Sequence, residues 1–255
     1  MTPGIVEIKD VTFCYKEKNV LRDVSLNIRE RDFIAMIGPN GGGKTTLLKL
    51  ILGLLKPEKG VIRVMGQAPL RMTPNVGYVP QNVHINPGFP ITAIDVVLMG
   101  IPGRKPWRRK SASDRGRAMA AMERLEVGTF AKRKIGTLSG GQRQRVFIAR
   151  AMMTRPKLML LDEPAASIDT KGQTDLYDML KGLNKDMTIL VVSHDLLVIS
   201  RYAKSVACVN KNLHYHNQAE ITRDMLEIMY PCARKSCPVE LVAHGLPHRV
   251  LREHN

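Results

Sequence analysis

Two hydrophobic rhythms alternate along this chain. Short, β-branched apolar runs at residues 5–15, 24–28 and 33–37 are cut by charged turns and predict strands, the third running directly into glycines. From residue 44 the period lengthens. Leu47, Leu48, Ile51, Leu52 and Leu55 recur on one face, predicting a helix over residues 44–55 that Lys56-Pro57 ends. Residues 61–65 and 76–79 predict two further strands. A fully apolar run at 158–161 and the run 188–192, apolar after Thr188, predict strands buried on both faces. Strands of this kind alternating with helices imply a parallel sheet covered on both sides, an α/β architecture.

Between Gln81 and Leu138 the texture changes. Pro, Gly and Arg interrupt its first part and residues 114–125 carry a helix-compatible pattern, so this stretch predicts a mostly helical insertion. A helix-like segment then follows Gln142 as far as Met153. From Leu213 the pattern weakens, and residues 232–255 predict an irregular tail.

A chain of 255 residues can bury a full core, and one compound domain is expected. The formal net charge of +16 favours anionic partners without choosing among nucleic acid, an anionic membrane face and nucleotide phosphates. Residues 1–9 lack the apolar core of a signal peptide, and no stretch approaches the roughly 20 apolar residues that cross a bilayer, so a soluble cytoplasmic chain is expected. Cys14, Cys208, Cys232 and Cys237 are too few for a disulfide framework and are expected to be reduced.

The chemistry concentrates in three places. Gly38-Pro39-Asn40-Gly41-Gly42-Gly43-Lys44-Thr45 fits the phosphate-loop pattern in full, between a predicted strand and a predicted helix. Its glycines let successive backbone N–H groups face phosphate oxygens, Lys44 can reach the β- and γ-phosphates, and the Thr45 hydroxyl can ligate Mg²⁺. The run 158–161 ends in Asp162-Glu163 at a sheet edge, where Asp162 can hold Mg²⁺ and Glu163 can act as general base for an attacking water. Leu138-Ser139-Gly140-Gly141-Gln142 places a capping serine and two glycines at a predicted helix start, which can hold a terminal phosphate.

In this order the motifs resemble those of the nucleotide-binding subunit of ATP-binding cassette transporters, and the likeness covers residues 5 to about 230. "GPNGGGKTT" looks like the Walker A loop and extends the nucleotide set to Thr46. "LSGGQRQR" looks like the signature, and "LMLLDEP" like the Walker B strand. Gln81 resembles the Q-loop glutamine, a further Mg²⁺ ligand; Asp169 resembles the D-loop aspartate, His194 the switch histidine and Tyr15 the adenine-stacking aromatic. Gly42 stands where many relatives carry alanine or serine, which leaves the anion nest intact.

The resemblance implies a P-loop NTPase core of the RecA-like kind with an antiparallel β subdomain and an inserted α-helical subdomain. Residues 1–230 would form the ATPase domain, with the helical subdomain at about 82–155, and residues 231–255 the tail. It also implies an ATP- and Mg²⁺-dependent homodimer in which Ser139, Gly140, Gly141 and Gln142 act in trans. The dimer would sit on the cytoplasmic face of the cell membrane against integral permease subunits, and act indirectly with an extracytoplasmic metal-binding protein.

Two regions bear on the cargo. Arg104, Lys105, Trp107, Arg108, Arg109 and Lys110 form a basic run that is a solvated face or a contact with anionic lipid. "ACVNKNLHYHN", with His214 and His216, and "VAHGLPHRVL", with His244 and His248, look like the tails of zinc and manganese uptake cassettes. His214 and His216 share a strand face and could meet one metal ion. Cys232, Cys237, His244 and His248 are ligands of types zinc favours, so a tail zinc is a further candidate. The expected function is ATP hydrolysis that powers uptake of a divalent metal ion, zinc foremost, with manganese, chelated iron or cobalamin as alternative cargoes. A DNA-repair or chromosome-organising ATPase of the same superfamily would carry a long coiled coil between residues 44 and 139; no sustained heptad run is present there, and no nucleic acid is expected.

Overall fold

The computed structural model describes residues 4–16, 18–81, 90–102, 111–193 and 201–216. β1 (Val6–Tyr15) and β2 (Lys18–Ile28) pair antiparallel, and β3 (Phe33–Ile37) leads through the glycine loop into α1 (Lys44–Ile51). β4 (Lys59–Val64) returns to the free edge of β1, closing a three-stranded sheet of order β2–β1–β4. A short α2 (Pro69–Met72) precedes β5 (Val76–Val79). Then come α3 (Ala93–Leu98), α4 (Ala112–Arg124) and α5 (Gly140–Met152), followed by β6 (Leu158–Asp162), α6 (Thr170–Leu183), β7 (Thr188–Val192), β8 (Ser205–Asn210) and β9 (Asn212–His216).

The second sheet has the order β5–β6–β7–β3–β8–β9, parallel throughout except for the β8–β9 hairpin. Its central strands are buried on both faces, as their unbroken apolar runs require. Phe33, Ala35 and Ile37 of β3 join one core, while Ile34 and Met36 join the other; Met159 and Leu161 of β6 part from Leu158 and Leu160 in the same way. The first core takes in α3, α4, α5 and α6. The second takes in α1 and the antiparallel sheet. Each fully buried leucine of these strands contributes about 1.5–3 kcal/mol of transfer free energy, so the sheet is the stable element on which the loops at its edge are mounted.

Reciprocal capping boxes start two of the helices, Ser111 with Asp114 on α4 and Ser139 with Gln142 on α5. The predicted helix over 44–55 is shorter in the structure. Regular α1 ends at Ile51, Leu52 caps it, and Gly53 turns the chain at φ +71°, so Leu55 packs on the second core from outside the helix. β2 begins six residues earlier than the predicted strand; the polar pairs Lys18-Asn19 and Arg22-Asp23 break the alternation there, and Asp23 sits at φ +46°. α6 and β8 were not expected from the sequence, and β9 only through the strand spacing of His214 and His216. Among the described residues no helix is long and apolar enough to cross a membrane.

Candidate functional site

The loop between β3 and α1 bends back so tightly that it encloses the side chain of its own lysine. Lys44 is only 6% exposed, and its Nζ donates to the carbonyls of Gly38 at 2.8 Å and Pro39 at 2.9 Å. Burial lowers the Lys44 pKa, and the nearby charges of Glu163 and Asp162 oppose that shift. Gly43, just before α1, has φ +106°, a conformation that a side chain would strain.

β6 delivers the two acids, and β7 separates it from β3. Asp162 is 2% exposed and accepts a hydrogen bond from the Thr45 hydroxyl at 3.0 Å. Desolvation pushes its carboxyl above the usual carboxylate range; the Glu163 charge acts in the same direction, while Thr45, Lys44 and Lys49 oppose it. Cis oxygen ligands of an octahedral Mg²⁺ lie about 2.9 Å apart, so the Thr45–Asp162 spacing fits one hard cation. Glu163 turns out of the strand at φ +48°, its N–H donating to the Val192 carbonyl, and its carboxylate accepts the Gln81 side-chain amide at 2.5 Å. Lys44, Thr45, Gln81, Asp162 and Glu163 are therefore one cluster, drawn from the ends of β3, β5 and β6.

A second cluster forms around the start of α5. The Gln142 N–H donates to Ser139 Oγ at 3.2 Å, and the Ser139 N–H donates to Gln142 Oε1 at 3.0 Å. Among the described residues, this arrangement leaves the hydroxyl hydrogen of Ser139 and the amide hydrogens of Gln142 available to an outside acceptor. Gly140 lies against the Ser167 carbonyl so closely that a Cβ there would come within 2.3 Å of it. Asp169 is the exposed residue that precedes α6, with no side-chain cap bond.

Tyr15 ends β1 at 45% exposure, its ring edge-on to Phe13 at 4.9 Å. Thr46 is buried in the first turn of α1. His194 lies outside the described residues, as do the basic run 104–110 and Cys232, Cys237, His244 and His248. His214 and His216 do share a face of β9. Among the described residues, however, no group of three or more His, Cys, Asp and Glu side chains could hold a metal ion, so this pair does not make a centre with described partners.

Two residues of the neighbourhood were missed in the sequence. Gln173 pins residues 165–168 by donating to the carbonyls of Ala165 and Ile168. Tyr78 on β5 has its hydroxyl pKa pushed up to about 12 by burial and by the Asp162 charge. Neither lies in a motif, and lone glutamines and tyrosines carry no signal of this kind.

A doubly covered parallel sheet with a phosphate loop after a central strand and two acids at the end of the strand two places away defines a nucleoside triphosphatase of the P-loop class. The chain belongs to the ABC transporter family, whose profile matches residues 21–166, and it is an ATPase. Among relatives it is 37% identical to the zinc uptake system ATP-binding protein ZurA of Listeria innocua, over 84% of this chain and 86% of that one. It is 42% identical to the zinc transport system ATP-binding protein TroB of Treponema pallidum, over 82% and 79%. It is also 37% identical to the manganese transport system ATP-binding protein MntB of Listeria innocua, over 88% and 95%. Solved structures agree. A nucleotide-free ATP-binding cassette from an ABC transporter superposes with a TM-score of 0.79 at 26% identity, covering 88% of this chain and 98% of that one. A dimeric, post-hydrolysis cassette bound to ADP and Pi superposes at 0.72 with 29% identity, covering 85% and 100%.

Proposed function

We propose that this chain powers uptake of a divalent metal ion, zinc foremost, through a separate membrane permease on whose cytoplasmic side it sits as a dimer. The similarity to the two zinc-system ATP-binding proteins over more than four-fifths of the chain carries this reading. The manganese-system match supports the second reading, manganese as cargo. The residues 1–230 form the ATPase domain in this proposal, with about 82–155 as its helical part, and 231–255 a tail. The packing of α3, α4 and α5 in one core supports the helical part.

In the proposed cycle, the backbone of residues 38–43 and Lys44 take the β- and γ-phosphates, Thr46 supports the loop, and Tyr15 stacks on adenine. Lys44 exchanges its two carbonyl partners for phosphate oxygens. Thr45, Asp162 and Gln81 would hold Mg²⁺, which when bound supplies charge neutralisation on the phosphate oxygens. Glu163 accepts the proton of the water that attacks the γ-phosphorus, and His194 holds that water and the γ-phosphate in register. Ser139, Gly140, Gly141 and Gln142 close over the partner subunit's ATP, with Asp169 at the same seam. The outward hydrogens of Ser139 and Gln142 suit that role. Because ATP touches both halves, it favours the closed dimer, and hydrolysis releases it.

Cys232, Cys237, His244 and His248 are proposed as a zinc-sensing set in the tail, on the strength of their donor types alone. Equilibrium dialysis that finds no zinc bound at micromolar concentration removes that part. The cargo is tested by co-purifying the chain with its permease in vesicles and following ATP-driven uptake of zinc and of manganese. Zinc uptake with little manganese uptake supports the first reading; the reverse order replaces it with the second.

A further inference from the structure

We infer that Lys211, which lies outside every phosphate-handling motif, is a positioning residue that holds the phosphate loop to β2 through its backbone. Lys211 is the single residue between β8 and β9, held at φ +62°. Its N–H donates to the Gly42 carbonyl at 3.0 Å, and its own carbonyl accepts the Arg22 N–H of β2 at 2.7 Å. One peptide plane on each side of Lys211 therefore ties the loop to the antiparallel sheet.

The loop is shaped to receive the hairpin. A Cβ at Gly38 would come within 2.0 Å of the Val209 carbonyl, and one at Gly42 within 2.7 Å of the same atom, whereas a Cβ at Gly41 meets nothing within 4 Å. The glycines at 38 and 42 thus make room for the end of β8, and the side of the loop at Gly41 is left open. Leu21, next to Arg22, lies beneath Gly43 on the other flank. With its carbonyl at Gly42 fixed from outside, the loop keeps its curl without a ligand, so less ordering is needed when phosphate binds. The inference rests on the reading of residues 38–45 as the ATP phosphate site.

The side chain of Lys211 is exposed, and what the position demands is the left-handed backbone. Glycine and asparagine adopt it readily, lysine tolerates it, and a β-branched residue does not. The test is steady-state Mg-ATP turnover of Lys211→Val and Lys211→Gly, each alongside its thermal unfolding curve. Loss of one backbone hydrogen bond corresponds to a change of about three- to tenfold, and Lys211→Val is expected to raise the KM for ATP by that factor with kcat nearly unchanged. Lys211→Gly, which removes the ammonium and keeps the backbone, is expected to match the unaltered chain. A normal KM in Lys211→Val overturns the inference. So does a KM raised equally in Lys211→Gly, since the charge would then be the working part. If Lys211→Val does not fold, Lys211→Ala, which strains the same left-handed backbone less, takes its place, and an unchanged KM there also overturns the inference. Retention of ATP binding by Lys44→Ala would instead remove the phosphate-loop reading beneath it.

Discussion

Gln81 and Glu163, 82 residues apart in sequence, are joined by a 2.5 Å hydrogen bond from the glutamine amide to the carboxylate. Each follows the last residue or two of neighbouring parallel strands, β5 and β6, so the bond closes the sheet edge beside Lys44 and Asp162. A carboxylate held in this way has a fixed direction before any nucleotide arrives. That is what a base for an attacking water needs.

Glu163→Gln is accordingly expected to bind ATP normally, lose turnover by about 100-fold or more, and accumulate a closed dimer with ATP. Gel filtration with and without ATP, together with phosphate release, reads both effects. Near-normal turnover would sink the role of Glu163.

Removing Gln81 should separate positioning from binding. In Gln81→Ala the carboxylate loses its donor while the loop around Lys44 keeps its own bonds, so kcat is expected to fall about tenfold with a smaller change in ATP affinity. Weaker ATP affinity with kcat unchanged would place Gln81 in ground-state binding instead.

Asp162 is expected to trade stability for function. Its folded-state pKa is raised by burial, so its favourable contribution is full below the ordinary carboxylate range and is lost as pH rises through the raised value. Without Mg²⁺ at neutral pH, Asp162→Asn should therefore melt higher, by about 2–4 °C for each kcal/mol recovered, while turnover is abolished. Calorimetry at pH 5 and at neutral pH checks the sign: the gap between the two proteins should narrow at the lower pH, and a widening gap would contradict it.

Trans action of the signature can be tested by mixing. Lys44→Ala and Ser139→Arg should each be inactive alone. In a mixed dimer one site keeps both an intact loop and an intact facing signature, so a random equal mixture should recover about a quarter of normal turnover. No recovery would mean that loop and signature serve the same subunit's nucleotide.

The part of this fold that could be read in advance is the part whose residues answer to a single demand. β3 is apolar throughout, and β6 and β7 are so apart from Asp162 and Thr188 at their ends, because both of their faces are covered, and the loop 38–45 has its glycines where the backbone must curl. α6 was hidden because Gly172 and Gly182 and several polar residues dilute its one buried face of Leu176, Tyr177, Leu180 and Leu183. β9 was legible only in the His214–His216 spacing, for another reason. It is an edge strand on which Leu213 and Tyr215 pack inward while His214 and His216 alternate with them, and five residues are too few to establish a period. In the site, the motif residues Lys44, Thr45, Asp162 and Glu163 came together as their order implied. The Gln81 bond to Glu163 and the Gln173 pin on residues 165–168 depend on which loops the tertiary fold brings side by side, and no local pattern reports that.

The contact of Gly140 with the Ser167 carbonyl has a mechanical meaning. With no side chain between them, the start of α5 and the turn after β6 are in backbone contact, and α5 cannot move toward that turn without displacing it. That turn begins four residues before Ser167, at Glu163. An inward tilt of α5 would therefore press on backbone only four residues from the carboxylate at the sheet edge.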